Sequence, residues 1–179
     1  LDYVVFYEKP LLKFDRILRT TLRTFPRSWR TFGEAMIGWF DENLWIKSTI
    51  QDRLGLPAEK ILFTDHHVAH AASAFFCSPF EEAAILTVDG VGEWTTTALG
   101  PGRADWDGSG ENRIDLSREL RFPHSLGLLY SVFTAWLGFR VNNVEYKVMG
   151  MASYGQPKYQ ERIYELLHVE QDGSFWLDM

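Results

Sequence analysis

The sequence predicts an α/β fold whose first strand lies inside a parallel sheet. Short apolar runs rich in β-forming residues alternate along the chain with segments of helical periodicity, which is typical of α/β proteins. The run at residues 2–8 is almost continuously apolar, which indicates a strand covered on both faces inside a parallel sheet. Because such a strand rarely begins a protein, and residue 1 is Leu1, we expect a piece of a longer chain.

The composition is that of one globular domain. The 179 residues are 46% hydrophobic and 23% charged, which excludes a disordered chain. A net charge of -6 disfavours a protein that coats nucleic acid. One cysteine, Cys77, excludes an internal disulfide, and the longest apolar stretch is shorter than the about 20 residues of a membrane span. We therefore expect a cytoplasmic protein without a membrane or nucleic-acid partner.

Two amphipathic helices are predicted after the first strand. The first follows Pro10, and basic residues from Lys13 to Arg27 lie between its apolar positions. We interpret this basic face as solvent-facing, with contact to phosphate, RNA or a membrane surface as the alternative. The second helix is predicted to begin at a capping box, residues 31–34, and to end at Gly55. Its predicted core positions are Phe32, Met36, Trp39, Phe40, Ile46, Ile50 and Leu54.

The remaining elements are predicted from apolar runs and from glycine and proline breaks. Strands are expected at residues 60–64, 83–88 and 94–99, with an edge strand within 112–122. Asp65 is placed to cap a helix over 66–76, and further helices are expected at 125–137, which should be buried, and 159–167. Residues 100–110 are predicted to form a loop and residues 143–155 a compact polar motif with glycines.

Three of the five histidines lie within five residues, at the start of the helix predicted after Asp65. His66 and His70 are four residues apart and therefore share a helix face, with Cβ atoms about 5–6 Å apart. Both imidazoles can then reach one divalent metal ion, whereas His67 points elsewhere and is a poor third ligand. The alternative is a pair of histidines with satisfied hydrogen bonds, because two ligands do not make a metal site.

A glycine-rich segment, residues 89–93, follows the strand predicted at residues 83–88. Ligands of α/β sheets collect at the carboxyl ends of strands. Here the amides of Gly90 and Gly92 can receive a phosphate, and Asp89 can hold a metal ion or its waters. The alternative is an ordinary hairpin turn. Together His66, His70 and Asp89 predict an open metal site with positions left for substrate or water.

Lys147 lies near glycines in the segment at residues 145–155. Its ammonium group can neutralise a phosphate. The alternatives are a solvated lysine or an exposed ion pair with Glu145, which would contribute little to stability.

Four motifs in this order resemble the amino-terminal part of the O-carbamoyltransferases, of the nodulation-protein and antibiotic-carbamoylating type. They are HHVAHAASAF at 66–75, VDGVGE at 88–93, SLGLLYS at 125–131 and EYKVMGMASYG at 145–155. The resemblance implies a Kae1-like domain of the actin/sugar-kinase/Hsp70 superfamily, which is ribonuclease H-like and has a mixed sheet flanked by helices. Family members are several times longer, so residues 1–179 would be part of that domain, without its first strands and without the YrdC-like domain of the full-length chain.

The resemblance also implies an activity and a site. Family members use ATP and carbamoyl phosphate to form carbamoyladenylate, and then carbamoylate a hydroxyl of a small molecule or glycan. The implied metal ligands are His66 and His70 with Asp89, and the implied phosphate-binding residues are Asp89, Gly90 and Gly92. The segment that contains Lys147 also matches the family, and Lys147 is predicted as a further phosphate contact from its charge. The implied metal is Fe(II), with zinc or manganese as alternatives. No general base is identified; Glu93 is interpreted as a surface carboxylate, and residues 1–179 alone are expected to be inactive.

Two other functions are compatible with parts of the pattern. A metal-dependent hydrolase would use the same histidines, but it would need a base such as glutamate on their helix, and none lies between His66 and His70. A non-catalytic nucleotide- or RNA-binding module would use the basic helix after Pro10.

Overall fold

The computed structural model describes residues 1–41, 43–108 and 110–179. The chain divides into two compact units: residues 1–79 with 92–94 form unit 1, and residues 80–91 with 95–179 form unit 2. Helices and small sheets occur in both units, so the predicted mixture of helices and strands is confirmed.

Unit 1 contains one pair of parallel strands, β1 (Val4–Phe6) and β2 (Ile61–Phe63). Val4 pairs with Ile61 and Phe6 with Phe63, which confirms the parallel pairing predicted for the first strand. The prediction that this strand is covered on both faces is wrong, because Val5 is 59% exposed. Successive side chains of a strand point to opposite faces, and only the face that carries the buried Ile61 is packed.

Four helices complete unit 1. They are α1 (Pro10–Thr24), α2 (Trp29–Asp41), α3 (Ile46–Leu54) and α4 (His66–Phe75). Short 3-10 turns occupy Asn43–Trp45 and Ala58–Lys60. Pro10 occupies the first turn of α1, where no amide hydrogen bond is lost. Gly55 ends α3 at φ 63°, and its N–H donates to the carbonyl of Gln51.

The helix predicted from the capping box is two helices, and it begins earlier than expected. α2 starts at Trp29, so Thr31 lies inside it and does not cap it. Met36 and Trp39 are buried as predicted, but Phe40 and Leu54 are exposed. The apolar stripe is not one continuous core face because the helix is interrupted between α2 and α3.

The basic face of α1 differs from the expectation at one position. Arg16 is buried, whereas Leu11, Leu22 and Phe25 are exposed. Arg16 is held inside unit 1 because its Nε donates a 2.6 Å hydrogen bond to the backbone oxygen of Glu93. A helix face that is basic in sequence is therefore partly a packing face in the structure.

Unit 2 is built on an antiparallel four-stranded sheet. Its strands are β3 (Glu82–Val88), β4 (Thr95–Arg103), β5 (Arg113–Ile114) and β6 (Arg118–Arg121). β3 pairs with β4, and the two short strands β5 and β6 also pair with β4. The loop predicted at residues 100–110 begins later than expected, since β4 continues to Arg103. Gly100 permits this because a Cβ atom there would collide with the backbone of Asp115.

The remaining elements of unit 2 are three helices and a hairpin. They are α5 (Leu126–Trp136), α6 (Glu145–Ala152), α7 (Gln160–Leu166), β7 (Leu167–Val169) and β8 (Phe175–Leu177). The helix at α5 is confirmed, but its predicted burial is wrong, because Trp136 is 80% exposed. The strand β3 also buries one face only, with Ile85 inside and Leu86 exposed. No helix among the described residues is long and apolar enough to cross a bilayer.

Candidate metal and phosphate site

Two imidazole rings meet on the first turns of α4. The chain enters this helix directly from β2 through Thr64 and Asp65, so the histidines follow the carboxyl end of a parallel strand. The Nε2 atoms of His66 and His70 lie 3.0 Å apart. Ligand nitrogens about 2.0–2.1 Å from a shared metal ion are about 2.8–3.0 Å apart at adjacent octahedral positions and about 3.3–3.4 Å apart in tetrahedral geometry. The pair therefore fits two adjacent ligand positions of one ion, and the same separation suits an N–H···N hydrogen bond.

The ring of His66 is enclosed by other parts of unit 1. Its side chain is 15% exposed, and its Nδ1 lies 3.8 Å from Oε2 of Glu8. A Cβ atom on Gly92 would lie 2.9 Å from the Cβ of His66, closer than real side chains approach. Glycine at position 92 is thus needed for this close approach. His67, the predicted poor ligand, is buried.

Glu93 anchors the amino terminus of α4. Its carboxylate accepts hydrogen bonds from the backbone N–H of Lys9 at 2.8 Å and from that of His66 at 3.2 Å. A carboxylate at this helix end is stabilised by the helix dipole and by charge-assisted hydrogen bonds. Glu93 is only 7% exposed, so its interpretation as a surface carboxylate is wrong. Asp65, predicted to cap α4, instead accepts a 2.8 Å hydrogen bond from Nζ of Lys9.

A buried cluster of charged side chains surrounds this anchor. Glu8 is 6% exposed, and its Oε2 accepts a 2.9 Å hydrogen bond from Nζ of Lys13. Burial lowers the pKa of Arg16 below its usual value, while the nearby carboxylates of Glu8 and Glu93 act to raise it. Each buried charge therefore has a partner of opposite sign, as the cost of burying ions requires.

Within unit 2, Asp89 directly follows β3 in a loop held by backbone contacts. The N–H of Asp89 donates to the carbonyl of Thr96 at 3.0 Å, and its Oδ1 accepts from the N–H of Gly90 at 2.7 Å. The hydroxyl of Ser125 donates to the carbonyls of Asp89 and Gly90, at 3.1 and 2.5 Å. The loop is therefore fixed to the start of α5.

Gly127 allows the first turn of α5 to contact this loop directly. A Cβ atom at position 127 would lie 2.5 Å from the carbonyl group of Asp89 and from the nitrogen of Gly90. Ser125 also accepts a hydrogen bond from the N–H of Leu128 at 3.0 Å, and so caps α5. The motif at residues 125–131 thus holds the predicted phosphate loop, a role that its sequence alone did not indicate.

Lys147 lies on α6, which forms most of the segment predicted as a compact polar motif with glycines. It is exposed, and its Nζ is 6.0 Å from the ring centroid of Phe139. Glu145 accepts a 2.6 Å hydrogen bond from the backbone N–H of Asn142, and this hydrogen bond holds the pKa of Glu145 below its usual value.

All of residues 1–179 match the family model described as carbamoyltransferase N-terminus. The chain belongs to this carbamoyltransferase family.

Relatives of this carbamoyltransferase N-terminal chain include an uncharacterised protein of Synechocystis sp., 50% identical over the whole chain. The nodulation protein NolNO of Sinorhizobium fredii is 38% identical over 71% of the chain, and NolO of Bradyrhizobium diazoefficiens is 37% identical over 58%. The aligned chain covers 29% of the Synechocystis protein and 18% of each nodulation protein.

Sequence reasoning missed the roles of three buried charged residues near the start of α4: Glu8, Arg16 and Glu93. Only Glu8 left a usable signal. It follows β1 as His66 follows β2, and the carboxyl ends of parallel strands lie at the same edge of a sheet. Arg16 gave no such signal because it fits the basic pattern of its helix. Glu93 gave none because it lies 77 residues from Arg16 in sequence.

Proposed function

We propose that this chain is the metal- and phosphate-binding part of an ATP-dependent O-carbamoyltransferase. In this proposal the full-length enzyme forms carbamoyladenylate from carbamoyl phosphate, ATP and water, with release of phosphate and pyrophosphate. It then transfers the carbamoyl group to a hydroxyl of a small molecule or glycan, with release of AMP. The observation that carries the proposal is the His66–His70 pair, with Nε2 atoms 3.0 Å apart, in a chain of the carbamoyltransferase family.

The proposed metal ligands are His66, His70 and Asp89. Asp89 directly follows β3 and would supply a carboxylate oxygen as the third ligand. Two nitrogen donors and one oxygen donor suit Fe(II), zinc or manganese. A bound ion would supply Lewis-acid polarisation of the carbamoyl or phosphoryl oxygen.

The proposed phosphate contacts are Gly90, Gly92 and Lys147. The N–H of Gly90 donates to Oδ1 of Asp89 in the structure. When Asp89 turns to a cation, this N–H loses its acceptor and becomes available to a phosphate oxygen. Lys147 is exposed and carries the positive charge that a phosphate would need.

We also propose a fold for the domain and a location in the cell. Residues 1–179 would be part of a Kae1-like, ribonuclease H-like domain, and a YrdC-like domain in the full-length chain would complete the reaction. The protein would work in the cytoplasm. Residues 1–179 alone would not catalyse the full transfer.

The first test is an assay of the full-length protein with ATP and carbamoyl phosphate. We expect pyrophosphate release only when both substrates are present. Phosphate release from ATP alone would instead indicate a hydrolase, and salt-dependent RNA binding without pyrophosphate would indicate a binding module. Either result would contradict the transferase proposal.

The second test is the metal content of the same protein. His66→Ala and His70→Ala each remove one nitrogen ligand, so we expect each variant to lose at least about 100-fold in metal affinity. His168→Ala is the matched control, since His168 lies in β7 and stacks on Trp176. Equal metal content in the native protein and in both α4 variants would contradict the proposed metal site.

A further inference from the structure

One nitrogen of His66 has no role in the proposed metal site. The two Nε2 atoms form the close pair, so Nδ1 of His66 is left to interact with the protein. Histidine ligands almost always donate this second N–H to a carboxylate, a backbone carbonyl or water, which fixes the tautomer and makes the ligating nitrogen more basic. The carboxylate facing Nδ1 belongs to Glu8, whose Oε2 is 3.8 Å away.

The carboxylate of Glu8 also has a cationic partner. The same Oε2 accepts a 2.9 Å hydrogen bond from Nζ of Lys13, one turn into α1. Backbone pairing fixes the distance between the two strands that precede Glu8 and His66, because β1 and β2 are parallel and in register. Glu8 and His66 therefore both lie just beyond the carboxyl ends of two paired strands.

From this arrangement we propose that Glu8 is a positioning residue for the metal ligand His66. Its carboxylate accepts a hydrogen bond from Nδ1–H of His66. This hydrogen bond holds the ring in the tautomer whose Nε2 can bind the metal ion. The 3.8 Å separation exceeds the usual 2.7–3.2 Å, so this hydrogen bond requires the two atoms to approach by about 0.6–1.1 Å. The inference rests on the proposed function, because it requires a metal ion at His66 and His70.

The test measures cobalt(II) binding to the full-length, metal-stripped protein in competition with a coloured chelator. Glu8→Gln keeps the shape of the side chain and removes its charge. Glu8→Asp keeps the charge but withdraws the carboxylate by one methylene. We expect both variants to lose about 10–100-fold in cobalt affinity.

Asp65→Asn is the matched control. It is the same change from carboxylate to amide beside His66, but Asp65 is more than half exposed and pairs with Lys9. We expect its cobalt affinity to stay within about twofold of native, as for other exposed ion pairs. Hydrogen exchange of the α4 amides in each metal-free variant reports separately whether the helix is still folded. If Glu8→Gln unfolds α4, the cobalt affinity of Glu8→Asp decides whether Glu8 positions His66.

The outcomes separate the two proposals. If His66→Ala binds cobalt as well as the native protein does, the metal site itself is wrong, and the role of Glu8 is wrong with it. If His66→Ala loses cobalt but Glu8→Gln does not, only the role of Glu8 is overturned. If Glu8→Asp binds cobalt like the native protein while Glu8→Gln does not, Glu8 supplies charge and does not position the ring.

Discussion

Replacing Glu93 with leucine is expected to destabilise the start of α4 by about 3–5 kcal/mol, the usual cost of removing one partner from a buried charge cluster. The change leaves the backbone N–H groups of Lys9 and His66 without their present acceptor. It also removes one of the two carboxylates near the buried charge of Arg16. Glu93→Gln retains an acceptor oxygen and should fall between the native protein and Glu93→Leu.

The measurement is hydrogen–deuterium exchange of the α4 amides in the full-length protein. Exchange gives a local opening free energy, which is better defined here than a global one because a large protein rarely unfolds in two states. Asp65→Asn is the control, since its ion pair with Lys9 is exposed and should change the opening free energy by less than about 1 kcal/mol. Equal protection in Glu93→Leu and Asp65→Asn would show that Glu93 does not anchor the helix.

Local patterns predicted the elements that carry the histidines. β2 spans Ile61–Phe63 where residues 60–64 were expected, and α4 spans His66–Phe75 where 66–76 was expected. These elements are short and bounded by clear breaks, so their periodicity is unambiguous. The four-residue spacing of His66 and His70 placed both rings on one face, where their nitrogens are 3.0 Å apart.

Long-range contacts are what the sequence did not reveal. On a helical wheel Arg16 belongs to the basic face of α1, yet it is buried because of a hydrogen bond to a residue 77 positions later. The sequence also did not reveal which apolar side chains would be exposed. Apolar periodicity tells which face of α5 or β3 avoids water, but not what covers that face, and Trp136 and Leu86 are exposed.

Gly127→Ala is expected to displace the Asp89 loop, unlike the same change at the other helical glycines that the structure describes, Gly33, Gly38 and Gly150. The new Cβ would lie 2.5 Å from the carbonyl group of Asp89 and from the nitrogen of Gly90, and backbone atoms cannot rotate out of the way. Overpacking of this kind typically costs about 1–3 kcal/mol. Because the same backbone carries the proposed third metal ligand, we also expect at least about a tenfold loss of metal affinity.

Gly150→Ala provides the matched control for this change. Gly150 lies within α6, and a Cβ atom there would meet nothing within 4 Å. Alanine is a better helix former than glycine, so this variant should be more stable by about 0.5–1 kcal/mol and should bind metal like the native protein. Exchange protection of residues 86–91 and cobalt titration of both variants measure the two effects. Native metal affinity in Gly127→Ala, together with a demonstrably displaced loop, would mean that Asp89 is not a ligand and that the histidines bind metal without it.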